Sequence, residues 1–200
     1  MNRLVFGTLV LAVSMQAAVA ANGFYVGGEI QLNKVQVDGG ELGGGLSVGD
    51  FEGDQVGFDI FAGYRFHDTG NLLDSIAIEV AYQDLGEIRD TVSVTTDIQP
   101  SAKLELDGYT VEVLGFLPIV EDIEFFFKAG YYDFDEDISI SLSGIGASGS
   151  DDDNGLTLGI GMVTDVRDNV SVRLGFSWFD YDDSLWNIGF GAFYSFGGSN

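Results

Sequence analysis

Val56-Gly57-Phe58-Asp59-Ile60-Phe61-Ala62-Gly63-Tyr64-Arg65-Phe66 alternates at every position. Val56, Phe58, Ile60, Ala62, Tyr64 and Phe66 share one face, and Gly57, Asp59, Phe61, Gly63 and Arg65 share the other. A two-residue period is the signature of an extended strand with two chemically different sides. The open question is which side is enclosed. A soluble sandwich turns its bulky apolar face inward and its polar face to water. Here the second face carries glycines and isolated charges, which suit the narrow inside of a closed barrel. The bulky face then suits hydrocarbon.

The same pattern recurs on either side of this stretch. Eight alternating segments run approximately over 23–37, 54–66, 74–88, 102–117, 123–142, 155–166, 169–181 and 185–196. In the third, Ile76, Ile78, Val80 and Tyr82 oppose Ser75, Ala77, Glu79, Ala81 and Gln83. In the last, Trp186, Ile188, Phe190, Ala192, Tyr194 and Phe196 oppose Asn187, Gly189, Gly191, Phe193 and Ser195. No segment carries a 3.6-residue stripe. The pattern predicts an all-β fold, an eight-stranded antiparallel up-and-down transmembrane β-barrel with almost no helix.

Aromatic residues gather at the strand ends. Tyr82, Tyr109, Tyr131, Trp178 and Trp186 fall near one set, and Tyr64, Phe66, Tyr194 and Phe196 near the other. Two such girdles around an aliphatic band mark the two membrane interfaces. Short connections at 67–73, 118–122 and 165–168 alternate with longer ones at 38–53, 89–101 and 133–154 and a tight one at 182–184. Short turns belong on the periplasmic side and long loops outside. Thr91-Val92-Ser93-Val94 and Ile138-Ser139-Ile140-Ser141 keep alternating within those connections, which predicts hairpins that project beyond the bilayer.

Met1-Asn2-Arg3, the apolar run Leu4–Val13 and Ala18-Val19-Ala20 have the order of a secretory signal peptide with its cleavage site. Residues 1–20 are therefore expected to be a leader, with a single barrel domain at 21–200 in the outer membrane. The chain has no Cys, so it is stapled by no disulfide, and stability must come from strand pairing and closure. The net charge of −24, from 8 Lys+Arg against 32 Asp+Glu, repels nucleic acid and anionic lipid headgroups. Divalent cations could bridge the acid to phosphate-rich surfaces, although a solubilising role for the loops is the simpler reading.

Several stretches resemble the small outer-membrane β-barrel proteins, a group that includes the outer membrane protein A transmembrane domain and the opacity-type surface proteins. They are Gly23-Phe24-Tyr25-Val26-Gly27-Gly28, Phe61-Ala62-Gly63-Tyr64-Arg65-Phe66, Ile76-Ala77-Ile78-Glu79-Val80-Ala81-Tyr82 with Asp84-Leu85-Gly86, and the closing Tyr194-Ser195-Phe196. The resemblance covers the whole of the expected mature chain, from residue 21 onward. It implies a monomer surrounded by outer-membrane lipids and lipopolysaccharide that meets surface or host ligands through its loops. Family members often end on the aromatic residue, whereas Gly197-Gly198-Ser199-Asn200 follow Phe196 here.

The charges with inward parity are Glu29, Asp59, Arg65, Glu79, Glu112, Lys128 and Arg173, with Glu124 nearer the periplasmic end. The lumen of about eight strands is just wide enough for side chains to fill it, and isolated charges there must pair. The expectation is an internal charge plug, with envelope integrity and surface interaction as the role. The alternative is a narrow porin-like channel for small cations or solutes. No catalytic or cofactor site is expected, because the one histidine, His67, lies at a periplasmic turn with no serine partner. No metal site is expected either. Asp133-x-Asp135-x-Asp137 opens like a calcium loop but has Ile138 in place of the required glycine and Gly144 in place of the closing glutamate. Asp151-Asp152-Asp153-Asn154 reads as a solvated loop tip. Gly39–Gly45 lacks the lysine and helix of a phosphate cradle.

Overall fold

A computed structural model describes residues 23–37, 41–42, 46–47, 51–67, 73–91, 101–120, 122–142, 145–181 and 184–196. The strands are β1 (Phe24–Val37), β2 (Glu41–Leu42), β3 (Leu46–Ser47), β4 (Phe51–His67), β5 (Ser75–Thr91), β6 (Ser101–Val120), β7 (Ile123–Leu142), β8 (Ile145–Arg167), β9 (Val170–Phe179) and β10 (Ser184–Phe196). Eight of them close into one antiparallel barrel, each pairing with its sequence neighbour and β10 returning to β1. β2 and β3 form only a small ladder in the first loop, Glu41 against Ser47 and Leu42 against Leu46. Among the described residues no helix is long and apolar enough to cross a membrane. The expected leader and the Gly197–Asn200 tail lie outside the described residues.

The alternation sets the inside and outside of the wall. Along β9, Ser171, Arg173, Ser177 and Phe179 are buried while Leu174, Phe176 and Trp178 are exposed. Among the described residues the exposed large apolar side chains outnumber the buried ones. A water-soluble monomer rarely shows a contiguous apolar patch beyond a few hundred Å². A closed belt of this kind is the lipid-facing surface of a membrane barrel.

The main difference from the sequence reading has a clear cause. β8 begins at Ile145, ten residues before the expected Gly155, because it pairs with β7 all the way up to Leu142↔Ile145. The stretch 133–154 is therefore mostly hairpin strand instead of loop, and Ile138–Ser141 lies in β7. Of the hairpin expected at Thr91–Val94, Thr91 ends β5 and the rest lies outside the described residues. Asp133, Asp135 and Asp137 consequently stand along one face of an extended chain. Extended geometry holds such alternate carboxylates roughly 7 Å apart, so they do not wrap around an ion. In β5 the register slips between Asp84 and Glu87. Gly86 takes φ +91° there, a left-handed conformation that a glycine adopts without strain. Asp84 Oδ1 accepts the Gly86 N–H at 2.9 Å.

Candidate functional site: the barrel interior and its outer wall

The lumen is filled in three layers. At the end that carries Phe66 and Phe196, Tyr25, Phe61, Ala77, Ala81, Leu114, Phe116, Phe126 and Val163 form an apolar cluster against which Phe193 packs. Toward the opposite end a second cluster holds Leu85, Leu104, Leu106, Tyr132, Phe134, Phe179 and Leu185, covered by Tyr181. Between them lies a polar slab of Glu29, Gln31, Asn33, Asp59, Glu79, Gln83, Thr110, Glu112, Lys128, Thr157, Arg173, Ser177 and Asn187, all buried. The glycines make the room for this packing. A Cβ on Gly63 would fall on the Tyr25 ring, and one on Gly161 on the Phe126 ring.

Within the slab Arg173 is the centre. Its Nε donates to Glu29 Oε1 and its Nη1 to Glu79 Oε2 at 2.8 Å, and its guanidinium lies 3.6 Å over the Phe61 ring. Tyr25 adds a phenolic O–H to Glu79 Oε2 at 2.9 Å. On the opposite wall Lys128 Nζ reaches Glu112 Oε2 at 3.0 Å, and the Thr157 hydroxyl donates to Glu112 Oε1 at 3.4 Å. Asp59 accepts from Gln31 Nε2 at 2.9 Å. Arg65 is placed apart, near the His67 end of β4, where it meets Glu124 at 2.6 Å, Asp74 at 3.9 Å and the Ser75 hydroxyl at 2.6 Å. Its guanidinium stacks 4.0 Å from the Phe116 ring centroid. Of the seven inward charges, five thus join in two ion-paired groups, Asp59 is hydrogen-bonded beside them, and Arg65 pairs separately near one end.

The aromatics of both expected girdles stand on the outer face. Tyr82 and Tyr109 are paired across β5 and β6 with ring centroids 5.4 Å apart, and Trp178 is paired across β9 and β10 with Trp186. At the other end Tyr64 packs edge-on against Phe66 and Tyr194 against Phe196, at 4.7 and 5.1 Å. Tyr131 is exposed on β7.

Just outside the Tyr82–Tyr109 pair runs an acidic row. Asp84, Asp107, Asp135 and Asp152 stand directly opposite one another across β5, β6, β7 and β8. Like charges so placed repel, and Tyr82 donates to Asp107 Oδ2 at 3.0 Å. Further out Lys103 lies between Glu87 and Glu105, at 3.1 and 2.7 Å, and these hydrogen bonds hold its ammonium pKa above the usual lysine range. Beyond the girdle, burial and then a 2.8 Å hydrogen bond to Glu136 push the Tyr181 phenol well above its ordinary value.

His67 ends β4 and is exposed. Among the described residues no group of three His, Cys, Asp or Glu side chains is arranged to hold a metal ion. The two apolar layers were not read from the sequence. Their signal was present as large residues at inward parity, Tyr25, Phe126, Tyr132 and Phe134, facing glycines on neighbouring strands.

A closed eight-stranded barrel with an apolar outside and a charged inside defines a class, the small integral outer-membrane barrels. The chain belongs to the outer membrane protein β-barrel domain family, which it matches over residues 5–196. Solved structures share the fold, two of them as follows. Neisserial surface protein A is 17% identical, with 88% of this chain and 99% of that chain covered at a TM-score of 0.57. Ail, the attachment invasion locus protein of Yersinia pestis, is 16% identical, with 86% and 98% covered at a TM-score of 0.54. No curated protein sequence matches the chain.

Proposed function

We propose that this chain is a non-enzymatic, monomeric protein of the bacterial outer membrane, exported by a cleaved leader. Its closed barrel contributes to envelope integrity and its acidic extracellular strands make surface contacts. Its immediate partners are outer-membrane lipids and lipopolysaccharide around the apolar belt, with surface or host ligands, and divalent cations, at the extensions. The observation that carries this reading is the lumen, in which an ion-paired slab lies between two apolar layers. Such an interior supports the plug reading over a channel, since a hydrated path would have to cross both layers.

Planar-bilayer recording on purified protein tests the plug. No stable conductance step is expected, and reproducible steps would return the narrow-channel reading. The surface role has its own test. Replacing Asp137–Ser150 with Asn-Gly closes the β7–β8 hairpin on the Glu136↔Asp151 pair with a favoured two-residue turn. The shortened protein should keep its heat-modifiable electrophoretic migration while cells displaying it adhere less. Undiminished adherence would remove the surface-interaction half of the proposal.

A further inference from the structure

The slab does not balance its charge. It encloses the carboxylates of Glu29, Asp59, Glu79 and Glu112 against the cations of Lys128 and Arg173. Arg173 is shared by Glu29 and Glu79, and Lys128 is taken by Glu112. Asp59 has no ion pair among the described residues, and Glu29 is its direct cross-strand neighbour. Two like charges enclosed side by side are costly unless something positive joins them.

The unpartnered atoms lie beside this pair. Asp59 Oδ1, Gln31 Oε1 and Gln83 Oε1 are buried and have no hydrogen-bond partner among the described residues. The three residues are only 3%, 2% and 1% exposed. Gln83 stands directly across from Asp59, and Gln31 is the next inward position after Glu29 on β1. The amide nitrogens are already engaged, Gln31 Nε2 with Asp59 Oδ2 at 2.9 Å and Gln83 Nε2 with Thr110 Oγ1 at 3.5 Å. What remains around Asp59, apart from Asn33 Oδ1 further along β1, is three acceptors, one of them a carboxylate oxygen. Asn33 Oδ1 and Asn187 Nδ2 are also unpartnered, but they oppose each other in register as acceptor and donor, so each complements the other.

We propose that Asp59, Gln31 and Gln83 bind a hard, oxygen-liganded cation inside the barrel wall. A carboxylate with amide carbonyl oxygens is the donor set such ions take, and no thiolate or imidazole is present to favour a softer metal. The bound ion offsets Asp59 and relieves Glu29 opposite. The proposal goes beyond the plug reading and stands separately from it, because the conductance test does not depend on this ion.

Urea-unfolded protein is refolded into detergent micelles at one pH and ionic strength, in sodium, potassium, calcium or N-methyl-D-glucamine chloride. The ion is then available while the barrel closes. The thermal midpoint is read from heat-modifiable migration. At least one metal chloride is expected to raise the midpoint above the N-methyl-D-glucamine value in a saturable way. Asp59→Asn should abolish that rise, Gln31→Met should raise the half-saturating concentration roughly tenfold or more, and Asp135→Asn should change neither. Equal midpoints in all four salts would overturn the proposal, with a proton then meeting the charge deficit. A rise that survives Asp59→Asn but not Asp135→Asn would also overturn it, by placing the ion on the outer acidic row. Should Asp59→Asn fail to refold, an unchanged half-saturation in both Gln31→Met and Gln83→Met is the overturning result.

Discussion

Arg173→Met is expected to destabilise the folded barrel by about 3–5 kcal/mol, because it strands two buried carboxylates at once. Glu29 and Glu79 both lose their cation, and Glu79 keeps only the Tyr25 hydroxyl and Glu29 faces Asp59. The loss should appear as a lower midpoint in urea unfolding from micelles. The fluorescence of Trp178 and Trp186, the only tryptophans, provides the signal. The same substitution combined with Glu29→Gln and Glu79→Gln should recover most of the loss. Removing a whole buried ion group is far cheaper than removing one member. If the triple variant is as unstable as Arg173→Met alone, the effect belongs to lost packing over the Phe61 ring instead of unpaired charge. If Arg173→Met costs less than about 1 kcal/mol, the value typical of an exposed pair, the slab is open to water and the closed interior is wrong.

Parity was legible in the sequence and depth only in part, since counting from the short turns places Glu79, Glu112, Lys128 and Arg173 at similar depths. Alternation around Asp59, Glu79 and Arg173 assigns each residue to the inside, since a strand has only two faces. It does not say how strands are offset, so it does not show which charges pair, Arg173 with Glu29 and Glu79, and Lys128 with Glu112. Offset depends on the barrel's stagger, a property of closure that no single strand carries. The same limit hid the two apolar layers. Phe126 and Phe134 lie eight residues apart on one inward face of β7, and only the register with their neighbours separates them into different clusters. Local composition misled at the start of β8. Ser148-Gly149-Ser150-Asp151-Asp152-Asp153-Asn154 has the residues of a loop, yet it is held extended by its pairing with β7. Strand propensity yields there to cross-strand hydrogen bonding.

Ile30→Arg tests the claim beneath all the others, that the bulky face meets hydrocarbon. Ile30 is among the most exposed side chains, at 66%, and stands beside Phe190, which in turn faces Leu174. Along β10, Phe190 is midway between Trp186 of one girdle and Tyr194 of the other, so its direct neighbour Ile30 is near the centre of the belt. An arginine at the midplane of a barrel's lipid face costs about 2–4 kcal/mol, and near the interface about 0–1. Leu156→Arg supplies the interface value, since Leu156 is opposite Tyr131 at girdle height and is 59% exposed. The two positions are similarly exposed and differ in depth, so water accessibility alone gives them the same penalty. In bilayer vesicles Ile30→Arg is therefore expected to lower unfolding stability by several times the effect of Leu156→Arg. Equal and near-zero effects would mean that the belt faces water, and an inside-out barrel could not then be the native form.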